Sequence, residues 1–197
     1  MSLDDVIDRL KSDNDARNKW VGVYIGVLAV VLAICNVGGA NAAKDAGRAN
    51  LDAANTWAFF QAKNIRRTAI NMAADELGLQ LAAHPSMPPE ARQAFEAKIK
   101  DYRATSQKLT TDPERKEGLD ELFAKGKSLE AERDVALRKD PYFDWSQALL
   151  QIAIVLASVH LIIGNMMLLG LSGGLAGLGV LLMLNGFTLA VSLPILG

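Results

Sequence analysis

WVGVYIGVLAVVLAICNVGGANAA, residues 20–43, contains no Lys, Arg, Asp or Glu. A bilayer core about 30 Å thick is crossed by about 20 apolar residues of helix, and residues 20–39 supply that length once. The preceding residues are not the basic leader of a signal peptide. Asp4, Asp5, Asp8, Asp13 and Asp15 stand among Arg9, Lys11, Arg17 and Lys19, and the apolar run is too long for a leader's core. Residues 20–39 are therefore expected to be a retained transmembrane helix, preceded by an amphipathic segment over residues 1–19.

The other uncharged stretch is the whole of residues 145–197. It is too long for one crossing. Gly164-Asn165 and Ser172-Gly173-Gly174 divide it into expected spans at 145–163 and 174–195. Trp20, Tyr24, Tyr142, Phe143 and Trp145 fall at the expected interfaces, where amphipathic rings are favoured. All 21 basic and 22 acidic residues precede position 145. A soluble domain of average composition does not segregate charge in this way. The expected fold class is all-α, an integral membrane protein with three transmembrane helices. One cysteine, Cys35, permits no intrachain disulfide, and two histidines exclude a His-rich metal site. A net charge of −1 gives no reason to expect nucleic acid as a partner.

Residues 40–144 lie between spans one and two. Ala, Leu, Glu, Lys, Gln and Arg dominate and no period-two alternation appears, so the segment reads as a helical hairpin domain in water. Its first helix should run to about Ala83, where Pro85, Pro88 and Pro89 stop it. A second helix, about Pro89 to Leu109, carries Ala91, Phe95, Ile99 and Tyr102 at helical spacing. Asp112 as N-cap and Pro113 at the first helical position signal a restart. The third helix is expected to close at Pro141. The long helix would rise about 65 Å and the other two descend about 30 and 40 Å, so an extended hairpin closes. A squat bundle, bent near Gly47 or Gly78, is the alternative.

Two rows at seven-residue steps lie side by side on the first helix. One holds Gly22, Ala29, Asn36, Ala43, Asn50 and Trp57; the other holds Gly26, Ala33, Ala40, Gly47 and Ala54. Close packing of membrane helices uses small residues. A period of seven favours a left-handed coiled coil, and Asn at such positions fixes register. The rows are read as a self-association seam, with a pore lined by Asn36, Asn41 and Asn50 as the alternative. An Ala-rich helix also produces such rows by chance or packs them within its own chain. Gly170-x-x-x-Gly174 and Gly173-x-x-x-Gly177 are weak motifs that suit closure of the tail hairpin.

The isolated polar residues have structural readings. His160, in the second span, has no Asp or Glu in any span to partner it. A neutral His bonded to a neighbouring helix or the interface is the expectation, not a proton relay. His84 reads as an exposed loop residue. Asn185 is placed near the middle of the third span, its amide bonded to another helix. The glycines around Gly173–Gly179 lack the Lys-Ser/Thr ending and the strand of a phosphate loop. Lys63, Arg66 and Arg67 are expected to pair with Asp101 on the returning helix, and Trp57, Phe59 and Phe60 to form hairpin core. Leu3, Val6, Ile7 and Leu10 share one face, with Ser2 and Asp5 as a capping pair. That face suits a membrane surface or a neighbouring subunit. No nucleophile–base pair, metal cluster or carboxylate dyad stands at an expected surface, so neither catalysis nor a cofactor is expected.

NKWVGVYIGVLAVVLAICNVGGANAAKDAGRANLDAANTWAFFQAKNIRRTA, residues 18–69, resembles a bacterial family known only as a domain of unknown function. Its members share an early span, a long helical insert and a closing pair of spans. The resemblance implies a protein of the bacterial cytoplasmic (inner) membrane and transfers no functional residue. Basic residues favour both flanks. Arg9, Lys11, Arg17 and Lys19 precede span one, against Lys44 and Arg48 after it. Lys125, Lys127, Arg133, Arg138 and Lys139 precede span two, and the loop after it has none. The uncharged hairpin tips the reading toward a cytoplasmic helical domain. The expected function is a non-catalytic homo-oligomeric scaffold or accessory protein, in contact with membrane lipid and a protein partner. An oligomeric channel lined by the first span is the alternative.

Overall fold

In a computed structural model, the backbone of residues 3–193 and the side chains of residues 18–193 are described. Among these residues there are four helices and no strand: α1 (Leu3–Ala83), α2 (Pro89–Thr110), α3 (Leu119–Ile163) and α4 (Met166–Thr188). The face expected from Ser2 to Leu10 and residues 194–195 of the third span lie outside the described side chains. Two compact units are formed: one from residues 1–46 and 134–197, the other from residues 47–133. α1 and α3 each contribute to both.

The first unit packs α1, α3 and α4 around a core of Leu28, Cys35, Ala42, Phe143, Leu150, Ala153, Ala176 and Met183. Neighbours along the chain fix direction. Tyr24 meets Ser172, while Gly38 lies against Phe143 and Phe187. α1 and α4 therefore run parallel, with α3 antiparallel between their ends.

Pro141 does not close the third helix. α3 passes through it to Ile163. A helix-interior proline removes one backbone bond at a cost of about 3 kcal/mol. The burial of Tyr142 and Phe143, 3% and 1% exposed, offsets that loss. The break between α3 and α4 is a single tight turn. Gly164 takes φ +74°, which a side chain would resist, and the Asn165 side chain accepts from the Met167 N–H. Ser172–Gly174, expected as part of the loop, is helical: Ser172 is buried and donates to the Ala153 carbonyl at 2.7 Å. α4 consequently starts eight positions earlier than the expected span and ends at Thr188. Leu189 is left-handed. Asn185 stands in the last turn of α4, not mid-span. Its Nδ2 donates to the Val191 carbonyl and its Oδ1 accepts from the Val191 N–H. Tyr142 Oη holds the same segment, donating to Val191 and accepting from Leu193.

The second unit sets α2 against α1 through Arg103–Asp75 and Arg67–Thr110. The first turns of α3 meet an earlier part of α1 through Trp57 and Phe123. Asp112 and Pro113 start one turn only. Asp112 Oδ1 accepts from the Arg115 N–H, but Lys116 turns left-handed at φ 54°, and the helix begins anew at Leu119. Gly118 is required there, because a Cβ would stand 2.6 Å from the Asp112 nitrogen.

Candidate functional site

The seam rows face outward. In the first unit Gly22, Gly26, Ala29, Ala33, Asn36, Ala40 and Ala43 are all exposed. A Cβ added at Gly22 or Gly26 would meet nothing within 4 Å. In the second unit Gly47, Asn50 and Ala54 are exposed, and Trp57 is half-buried against α3. Trp57 is thus the one seam residue used within the chain. A groove of about 390 Å³, lined by Val30, Ala33, Val37, Asn41 and Phe187 among others, borders the seam. Among the described residues neither the Asn36 nor the Asn41 side chain has a hydrogen-bond partner.

The packing inside the chain uses the neighbouring row, one residue back. Val21, Leu28, Cys35 and Ala42 are buried in the first unit; Ala49 and Thr56 in the second. This row has the same seven-residue period, so the signal was present. Both rows are built mainly of small or apolar residues, and the exposed one differs by carrying Asn36 and Asn50.

Polar groups in the first unit's interior donate to backbone carbonyls or to one another. Ser146 Oγ donates to Gly179 at 2.7 Å, and Cys35 Sγ to Phe143 at 3.6 Å. Ser172 spends its proton on Ala153, so Tyr24 Oη donates to Ser172 Oγ at 3.1 Å. His160, 1% exposed, bonds the Asn165 carbonyl through Nδ1 at 2.8 Å. The carbonyl requires that nitrogen to carry the proton. These bonds tie the three helices together and satisfy groups that would be costly unpaired. Among the described residues no group of three or more His, Cys, Asp or Glu could hold a metal ion.

The second unit centres on Trp57. Its ring meets Phe60 and Phe123 edge-on at 5.6 and 5.5 Å, and Nε1 donates to Glu130 at 3.0 Å. The basic patch does not pair with Asp101, which bonds Lys98 one turn away at 3.6 Å. Lys63 reaches Glu117 at 3.6 Å, and Arg67 bonds Asn64 and Thr110. The reason is register: Arg67 meets the end of α2, whereas Asp101 lies about two turns earlier on that helix.

Lys127, bonded at 2.8 Å, and the Trp57 N–H hold the Glu130 carboxyl below its ordinary range. A carboxyl depressed in the folded state adds stability above its unfolded value. That contribution is lost as pH falls through the folded value. Glu130→Gln should therefore lower the unfolding midpoint slightly near neutrality and converge with the native protein as pH falls, which flattens the acid limb of the stability–pH profile. Unfolding midpoints between pH 3 and pH 7 test this; parallel profiles for the two proteins would refute it. The shift is small in energy because the pair is exposed to water. Asp140 moves the other way, raised by burial and then by Asp144.

Among the described residues the regular elements are all helices, three of them long and apolar enough to cross a membrane, with a charged helical unit inserted after the first, and that arrangement defines the class. The chain belongs to the family described as domain of unknown function DUF4337, whose match covers residues 17–189. No curated protein and no solved structure matches it.

Proposed function

We propose that this protein is a non-catalytic, multi-pass membrane scaffold that assembles with copies of itself through the outward face of α1. The observation that carries the reading is the unpartnered Asn36 amide on a bare face of small residues. In hydrocarbon an unsatisfied amide is costly, and membrane helices relieve it by pairing across small-residue faces, worth about 1–2 kcal/mol per polar contact in model peptides. Gly22, Gly26, Ala29 and Ala33 leave room for a second backbone at that face. On this reading α1 crosses once near residues 20–39, and α3 and α4 form the closing hairpin. The uncharged Gly164–Asn165 turn and the five basic residues before the second span favour the helical unit on the cytoplasmic side of a bacterial inner membrane. There it presents a surface to protein partners.

The test is the mass of the complex extracted mildly from its own membrane. Gly26→Leu fills the space between backbones and should weaken association about tenfold, roughly 1.4 kcal/mol. Asn50→Leu, in the second unit, should alter assembly as well. An unchanged particle mass in both variants would sink the seam.

A further inference from the structure

The second unit carries a further unpartnered row. Leu51, Ala58, Ile65, Met72 and Leu79 follow one another at seven-residue steps on α1. Leu51, Ile65, Met72 and Leu79 are 65%, 71%, 66% and 72% exposed. The row is about 42 Å long. It lies in the segment that holds charged residues throughout, so lipid is not its solvent. Apolar side chains in water are costly, at about 25 cal/mol per Å². A helix that faced only water would carry them singly, not in a repeat.

We infer that this row is a coiled-coil surface whose occupant is the same row on a second copy of the chain. Three features identify the occupant. A strict period of seven matches only a helix with that period, and the copy supplies one. Beside Ala58 and Ile65 the residues three and four positions away, Ala54, Asn55, Gln61, Ala62, Thr68 and Ala69, are uncharged, while Arg48, Asp75 and Glu76 flank the ends of the row. Two copies therefore meet at the middle of the row without like-charge repulsion. The four large side chains offer roughly 400 Å² per copy. The exposed alanines at 54, 58, 62 and 69 carry that toward the roughly 800 Å² per partner of a stable dimer. Ile65 stands at the middle of the row, so pairing in either direction brings it against its copy. This inference rests on the self-assembly reading and names a contact outside the spans.

Disulfide trapping in the native membrane tests it. Cys35→Ser retains a donor to the Phe143 carbonyl and removes the only native thiol. In that background Ile65→Cys should shift to a dimer on non-reducing gels under a mild oxidant. Arg66→Cys, about 100° around the helix, should stay monomeric. Ile65→Glu in the otherwise native chain should reduce the complex mass without lowering the unfolding midpoint, because the side chain is exposed. An oligomeric particle with no trapping at Leu51→Cys, Ile65→Cys or Met72→Cys would overturn this contact and leave the span seam standing. A monomeric particle would overturn both. Trapping to a different protein would overturn the second copy as occupant.

Discussion

Trp57→Ala is expected to lower the unfolding midpoint of the full chain by about 6–12 °C. Removing a packed Trp costs about 3–5 kcal/mol, and the lower end applies because the ring is half-buried. A loss of about 3 kcal/mol moves the midpoint of a chain this size by about 2–4 °C per kcal/mol. The loss has identifiable parts: two edge-on aromatic contacts, a bond to Glu130, and the packing of the indole on Gly126. A Cβ at Gly126 would stand 2.8 Å from two indole carbons, so Gly126→Ala alone should cost about 1–3 kcal/mol by overpacking. With Trp57 truncated, the methyl group enters the space the ring left. The double variant should then be no less stable than Trp57→Ala, a strong departure from additivity. Additive losses would show that the two residues do not share a contact. Thermal unfolding followed by circular dichroism in one detergent supplies all four corners of the cycle.

Phe143→Ala should be the most damaging single truncation in the first unit. The ring is 1% exposed and fills a socket made by three glycines. Added Cβ atoms at Gly38 and Gly186 would approach the ring at 2.5 and 3.1 Å and one at Gly39 would approach the Phe143 Cβ at 3.2 Å, and Phe187 meets the ring edge-on at 4.9 Å. Where lipid surrounds the helices, the water-transfer part of the cost shrinks, because lipid tails are as apolar as the core. The cavity part remains. Roughly 100 Å³ at about 24 cal/mol per Å³ gives about 2.4 kcal/mol, or a midpoint about 5–10 °C lower. Gly38→Val attacks the same socket from the other side by crowding Phe143 and Phe187, and should destabilise as well. Unaltered midpoints in both variants would mean that α1, α3 and α4 do not close around this ring.

Both sites show why the helices were legible and their faces were not. Periodicity and charge mark where a helix can run. Three prolines after Ala83 and a left-handed glycine at Gly164 mark where the chain must turn. Trp57 appeared in the sequence both as a member of the seam and as hairpin core, yet its partner glycine lies 69 positions on. Phe143 appeared as an interface aromatic, and its socket is built from glycines of two other helices. The stop signals were also local readings. Pro141 was outweighed by the burial of its neighbours, and Asp112-Pro113 capped a turn that Lys116 ended.

Charge segregation marked three segments apolar enough to cross a membrane and a polar insert after the first, and the run of helix-forming residues without period-two alternation marked that insert as helical. Those properties depend on composition and local dihedral preference alone. Which stripe of α1 is buried was settled by long-range packing. Val21, Leu28, Cys35 and Ala42 turn inward while Gly22, Ala29, Asn36 and Ala43 turn outward. The two rows share a period, lie about 100° apart on the helix, and are both built mainly of small or apolar residues. The choice falls to the shape of residues more than a hundred positions away, where Phe143 and Leu150 need a surface to close upon.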